Sequence, residues 1–400
     1  MASPAMLPSL PDDLISEILS WVPAKSACRF CCVSRGWHAL ISGPAFVAMH
    51  RSRTDPQLLL LAVSYHRKEG GGISGDLQLV DVDGEVMGVN KSVGVFWTIC
   101  YGRDDAPDCV TFDFREPSDF FVAKVINPVT GSVLMATTEL DDGASSEVYI
   151  GAFKVGCAAP SGAYKVVRLR GNNPHQPWKV LTLGDGAKWR QVGFPAATQS
   201  TRYDQGSVVT INGVMHFLYT SVTSCEDYIF RLDLESEKWM AKLKGPTSGE
   251  LQTDVLIKYL VRFNNDTLCL VQSEEHLNNN VCTNIWLLSD HAKGTWVKAY
   301  TVSADSRLLI PLRTMRDSPK MLLYGFSSCK ATSALQVYDP LTGTCTDLVK
   351  FEHKIYIDVL FCDLECFVSR KSSLVGCRLN PYSFSMSNFL RDLVGMFHIM

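Results

Sequence analysis

The chain has two textures of hydrophobic and polar positions. Over residues 10–46 apolar residues recur at helical spacing. Leu14, Ile15, Ile18, Leu19 and Val22 fall within an arc of about 140° at roughly 100° per residue, which predicts one amphipathic helix. Pro11 suits its first turn, where the missing N–H has no partner to lose. Asp12 and Asp13 place negative charge at the positive end of the helix dipole, and Pro23 stops the helix. A second helical stretch carries Ala27, Cys28, Phe30 and Cys31; a third carries Val33, Trp37, Leu40 and Ile41, and Pro44 is expected to end it. Three such short helices bury too little surface to stand alone. The apolar stripe therefore needs a cover, either the rest of this chain or a partner.

After Arg51-Ser52-Arg53-Thr54-Asp55-Pro56 the pattern changes to short β-type runs broken by Gly, Pro, Asn and Asp. Strands are expected at 77–82, 122–126, 164–169, 208–211, 228–232, 268–272, 285–288, 321–324 and 335–338. The turns that follow them repeat. Asn127-Pro128-Val129-Thr130-Gly131 and Asp339-Pro340-Leu341-Thr342-Gly343 share one chemistry: Asn or Asp to start, Pro to fix φ, Gly to finish. Trp239 and Trp296 each stand six residues after an Asp (Asp233, Asp290), and Trp189 holds the same place after Leu183. With anchors at 81, 127, 183, 233, 290 and 339, the gaps are 46, 56, 50, 57 and 49 residues. A strand–turn–strand unit repeating near fifty residues predicts a β-propeller of six blades, with the Trp packed between neighbouring blades. Asn380-Pro381 leaves a seventh blade open, and a pair of β-sandwiches is the competing architecture. The kelch glycine pair is absent. Met386–Phe397, with Phe389, Leu390, Leu393, Val394 and Phe397, reads as a second amphipathic helix.

The run from Leu10 to Pro23, continued by Lys25-Ser26, Arg29-Phe30, Cys32-Val33-Ser34, Trp37, Leu40-Ile41-Ser42 and Pro44-Ala45-Phe46, resembles the F-box in order and spacing. The stretches 164–169, 211–217 and 285–288 are similar, more loosely, to the F-box-associated domains of plant F-box proteins. The resemblance implies that the helical module docks onto a Skp-type adaptor, which links it to a cullin scaffold in an SCF ubiquitin ligase. Carried over by position, the adaptor-facing residues would be Leu10, Pro11, Leu14, Ile15, Ile18, Leu19, Val22, Pro23 and Trp37. Two positions depart from the family pattern. Ala27 stands where a larger aliphatic residue is usual, and Trp21 where a polar or basic one is.

Composition narrows the function classes. The chain of 400 residues is 46% hydrophobic and 20% charged, which excludes a disordered protein. A net charge of −3 gives no bulk reason to bind nucleic acid or acidic membranes. The longest aliphatic run, Leu58–Val63, falls far short of a bilayer span, and residues 1–11 lack the basic start of a secretory signal. The 14 scattered cysteines then read as reduced thiols of the cytoplasm or nucleus, and the sequons at Asn90 and Asn265 as chance matches.

No catalytic constellation emerges. Gly70–Gly75 matches a dinucleotide-type glycine pattern formally, but no helix follows it, so it reads as a hairpin loop. Neither Cys28 with Cys31 nor Cys362 with Cys366 has a second ligand pair at zinc-site spacing. Some propellers host copper chemistry, for which Tyr203, Tyr219, His216 and His353 would have to converge.

The sequence therefore predicts a mainly β protein. Residues 1–8 form a tail, 9–50 a three-helix F-box, 51–57 a linker, 58–385 the propeller and 386–400 a C-terminal helix. The expected role is a non-catalytic substrate receptor with no cofactor and no metal. Its partners would be the Skp-type adaptor, the cullin behind it and a target protein held by propeller loops. Those loops are expected at 66–75, 103–108, 141–147, 170–178, 198–206, 221–227, 245–252, 273–283 and 327–333. A propeller enzyme, a glycan binder, or a scaffold that degrades nothing are the alternatives.

Overall fold

The structure is a computed structural model. It describes residues 10–362 apart from 54–56, 69–71, 82–85, 102–106, 116–119, 127–132, 140–152, 170–177, 185, 194–200, 222–225, 247–253, 265, 276–280, 304–307, 316–317, 328–331 and 352–355. Residues 380–381 and the expected C-terminal helix lie outside this set.

Four helices, not three, open the described chain: α1 (Asp12–Leu19), α2 (Ala24–Phe30), α3 (Arg35–Ile41) and α4 (Pro44–Arg53). The expectation that Pro44 ends a helix is corrected. Ser42 closes α3, and Pro44 is the first residue of α4, where a fixed φ and a missing N–H cost nothing. Helix α4 continues to Arg53, into the stretch expected to be linker. The Ser34 hydroxyl caps α3 by accepting the Trp37 amide at 3.1 Å. Leu19, Ala24, Ala27, Ile41 and Phe46 make the interior of this module.

The remainder is a ring of antiparallel sheets. Strands β1 (Gln57–Lys68), β2 (Gly72–Asp81) and β3 (Val86–Tyr101) form a meander. Strand β3 serves two sheets: residues 86–94 pair with β2 and residues 95–101 with β4 (Pro107–Arg115). After β4 come β5 (Phe120–Ile126) and β6 (Val133–Glu139). The third sheet holds β7 (Phe153–Cys157), β8 (Tyr164–Arg168), β9 (Trp178–Thr182) and β10 (Trp189–Val192). The fourth holds β11 (Thr201–Ile211), β12 (Val214–Ser221) and β13 (Asp227–Asp233), whose outer edge is shared by β14 (Lys238–Trp239) and β15 (Leu243–Lys244). The fifth runs β16 (Asp254–Phe263), β17 (Thr267–Glu275), β18 (Val281–Asp290), β19 (Thr295–Ser303). The sixth runs β20 (Leu308–Thr314), β21 (Met321–Ser327), β22 (Thr332–Asp339), β23 (Thr344–Phe351). Finally β24 (Tyr356–Cys362) pairs with β1, from Gln57 opposite Cys362 to Val63 opposite Tyr356, and completes the first sheet.

The described residues thus form six blades in which β3, β7, β11, β16 and β20 touch in succession as innermost strands. All six sequence anchors fall at one place: each stands at the connection between the third and fourth strand of a blade. Where this turn is described, its chemistry repeats. The Asp233 carboxylate accepts the Glu235 amide at 2.8 Å, that of Asp290 accepts Ala292 at 2.8 Å, and that of Asp339 accepts Leu341 at 3.0 Å. Gly294 and Gly343 close their turns at positive φ; in the fourth blade that position is Glu237, at φ 55°. Glu237 lies between Lys165, whose ammonium is 2.8 Å from its carboxylate, and Arg190, so it bonds the fourth blade to the third.

In the third to sixth blades the residue six after the anchor packs toward the preceding blade. Trp189 lies with Val110 and Phe112, Trp239 with Trp178 and Val180, Trp296 with Ile211 and Leu218, and Cys345 takes the place in the sixth blade beside Phe263 and Cys269. Hairpins at the same rim set the close approach of blades. Asn212 and Gly213 take φ 49° and 77°, the signature of a two-residue primed turn. A Cβ on Gly213 would stand 2.6 Å from the Ala159 amide nitrogen of the third blade. Gly213→Ala is expected to destabilise the protein by more than about 1 kcal/mol, read as a lower denaturant midpoint at unchanged slope.

His216 on β12 is buried in the seam between the fourth and fifth blades. Burial, with Arg231 and His291 nearby, lowers its pKa to about 4. An unfolded chain takes up this proton near pH 6.5 while the folded one refuses it, so stability falls as the pH drops from 6.5 towards 4. The loss between pH 7 and 5 is expected to be about 2 kcal/mol. His216→Gln should lack that increment in paired denaturation curves.

Candidate functional site

The helical module supplies the first candidate surface. Its α1 helix starts on the Pro11 carbonyl, which accepts the Leu14 and Ile15 amides at 3.0 and 3.1 Å. The apolar arc read from sequence is divided in the structure. Leu19 points inward and is 4% exposed, Ile15 and Val22 are half-buried, and Leu14 and Ile18 face outward at 50% and 58% exposure. Leu10 one turn earlier and Trp21 one turn later extend the outward row, at 56% and 63%. Pro11 and Pro23 are exposed; Trp37 is half-buried and meets the Phe30 ring edge-on at 5.9 Å. Val33 is a further outward apolar residue. Exposed Asp12, Asp13 and Glu17 flank the row.

The row stands on a braced helix. The Arg53 guanidinium, at the end of α4, lies 2.8 Å from the Glu17 carboxylate, donates to the Ser20 hydroxyl at 2.6 Å and sits 5.1 Å from the Trp21 ring centre. That contact holds the Glu17 carboxyl below its usual range. His50 donates to the Val22 carbonyl at 2.8 Å. Ala27, which departs from the family pattern, is fully buried, so a larger side chain there would alter helix packing and not the outward row. Trp21, the other departure, continues that row. Its spacing from Ile18 carried the signal, but a polar residue was expected there.

The second candidate surface is one rim of the propeller. Strands flanking 66–75, 170–178, 221–227, 273–283 and 327–333 connect second to third strands; those flanking 141–147, 198–206 and 245–252 connect one blade to the next. All of these strand ends lie at the rim opposite the tight turns. Segment 103–108 joins β3 to β4 and belongs to the turn rim instead. The tips of all nine segments lie outside the described residues. Beneath the loop rim, between the fourth and fifth blades, lies a buried polar layer. Asp227 accepts the Thr220 hydroxyl at 2.8 Å and the Lys258 ammonium at 2.8 Å, and Gln272 donates to Glu274 at 2.6 Å.

Of the residues considered for metal chemistry, Tyr203 lies opposite Tyr219 across β11 and β12, but His216 is turned away from Tyr219. His216 and Tyr219 are three apart on β12 and face opposite sides of the sheet, Tyr219 against Phe230 with ring centres 4.9 Å apart. His353 lies outside the described residues. Among the described residues no three His, Cys, Asp or Glu side chains form a metal-holding group, and no helix is long and apolar enough to cross a membrane. Of the glycine run, Gly72 and Gly75 lie on β2 and pair with Lys68 and Tyr65 of β1.

Comparison with known proteins places these surfaces in a family. Residues 111–353 match the F-box associated beta propeller domain, and residues 7–48 match the F-box domain. F-box protein At2g21930 of Arabidopsis thaliana is 26% identical over 333 residues, covering 76% of this chain and 74% of that one. F-box protein At3g49450 of the same plant is 31% identical over 250 residues, covering 58% and 59%. Among solved structures, the Dos1 propeller is 9% identical with a TM-score of 0.32, covering 73% of this chain and 68% of that one.

Proposed function

The chain belongs to the F-box-associated β-propeller family, and from that premise we propose that it is the substrate-recognition subunit of an SCF-type ubiquitin ligase. The observation that carries the reading is the outward apolar row Leu10, Leu14, Ile18 and Trp21, which runs along α1 and its two flanks, on a helix braced from behind. Apolar side chains in a row at half exposure or more are a surface made to be covered. A Skp-type adaptor covers them, with Pro11, Pro23 and the accessible parts of Ile15, Val22 and Trp37 at the border. Leu19 contributes from beneath by fixing the helix. The adaptor brings the cullin.

The target is held at the loop rim. The chain enters the propeller at Gln57, on the turn rim, opposite the rim that holds the target. Ubiquitin transfer belongs to other subunits, and this chain contributes proximity. Holding a target lysine near a charged conjugating enzyme raises its effective concentration without a catalytic residue or cofactor here. The setting is the reducing cytosol or nucleus. Burial pushes the Cys269 thiol well up, which suits an inert packing role there.

The test is stoichiometric capture. Purified full-length protein mixed with a purified Skp-type adaptor should elute as a one-to-one complex that a cullin N-terminal domain enlarges further. A folded protein with a β-type circular dichroism signal that binds neither would overturn the reading.

A further inference from the structure

The outer strand of the second blade differs from the other described outer strands. In β6 three consecutive apolar residues are exposed, Val133 at 56%, Leu134 at 40% and Met135 at 54%. Strand β10 exposes Arg190 and Gln191, and β19 and β23 expose Thr, Ser, Lys and Asp with one large apolar residue each, Val297 and Leu348. Among the described strands β6 pairs only with β5, so its other edge presents open backbone groups beside an apolar run. Such an edge invites pairing between copies unless something covers it.

We propose that residues 386–397 of the same chain pack across β6 as an amphipathic helix and cap this edge. Three observations identify the occupant. The described chain leaves the ring at Cys362, opposite Gln57 at the turn rim, and Val133 begins β6 at that same rim in the adjacent blade. Three strand spacings of about 4.8 Å plus one sheet-to-sheet step of about 10 Å put the two points roughly 25 Å apart. The 23 residues from 363 to 385 reach that far as an ordinary flexible chain, whose end-to-end distance is also about 25 Å. Residues 386–397 then carry Phe389, Leu390, Leu393, Val394 and Phe397 at helical spacing, an apolar face that itself needs a cover. A helix laid over an outer strand removes both liabilities at once.

The experiment places a photo-crosslinking p-benzoylphenylalanine at Met135 in the full-length protein. Isotopically heavy and light copies are mixed so that links within and between chains are distinguished. Links from position 135 to peptides within 386–397 of the same chain are expected. Leu390→Asp with Leu393→Asp should lower their yield and raise β6 amide exchange by about tenfold. Links between copies, links to other segments, or an exchange rate in β6 indifferent to the double substitution would each overturn the proposal.

Discussion

A full-length chain carrying Leu14→Asp and Ile18→Asp is expected to bind a Skp-type adaptor at least about a thousandfold more weakly, a loss of about 4 kcal/mol. The estimate follows from exposure. Both side chains are about half exposed in the free protein, so covering them completely is worth roughly 1.5 kcal/mol each. Two carboxylates in an apolar contact add a desolvation penalty of a few kcal/mol. The fold should survive, because both positions already face water and Leu19 still anchors α1 from within. Leu19→Asp is the contrasting variant. At 4% exposure it should disrupt the module itself, giving lost binding together with lost helical signal.

Phe217→Ala is expected to cost about 3–5 kcal/mol of propeller stability. Phe217 is fully buried between the third and fourth blades, with the Trp178 ring 5.2 Å away edge-on and the Trp239 ring 5.6 Å away. Removing it leaves a cavity walled by two indoles on different blades, each held by its own sheet, so collapse can fill it only in part. Phe217→Leu should cost less than half as much. The check is the urea midpoint of each variant at unchanged slope; a loss below about 1 kcal/mol for the alanine variant would mean that this seam is not close-packed.

The parts of this fold that were legible in the sequence share one property: their signals are local. The turn between third and fourth strands starts on Asp or Asn in five of the six repeats and carries a Trp six residues after the anchor in three, so the anchors together marked the same point of each blade. The central strands were legible because they are buried on both faces, as Leu268, Cys269, Leu270 and Val271 in β17 are, and read as continuous apolar runs. Outer strands were not. In β23 the exposed Thr344, Thr346, Asp347 and Lys350 give a polar run without alternation. Closure of the ring is invisible for another reason. Strands β1 and β24 stand at opposite ends of the ring's chain, and nothing in either records which partner completes its ladder.

The helical module shows the same division. Pro44 marks a helix boundary in sequence, but a proline both follows helices and opens them, and only the structure shows that α4 starts there. The nine positions carried over from the F-box pattern fall on α1, its flanks and α3. Their division between inward and outward faces was hidden because Leu14, Ile18 and Leu19 share one arc, and α1 buries only part of it on its own module.

The account's central claim is that this chain joins a ligase to a target, and target lifetime tests it most directly. Cells expressing either the wild-type chain or Leu14→Asp/Ile18→Asp would be probed for proteins captured by both. The ubiquitylation and half-life of those proteins would then be followed. The account predicts that one set of proteins is captured equally by both chains, and is ubiquitylated and short-lived with the wild type alone. Equal capture with unchanged ubiquitylation and half-life would contradict it and identify a scaffold instead.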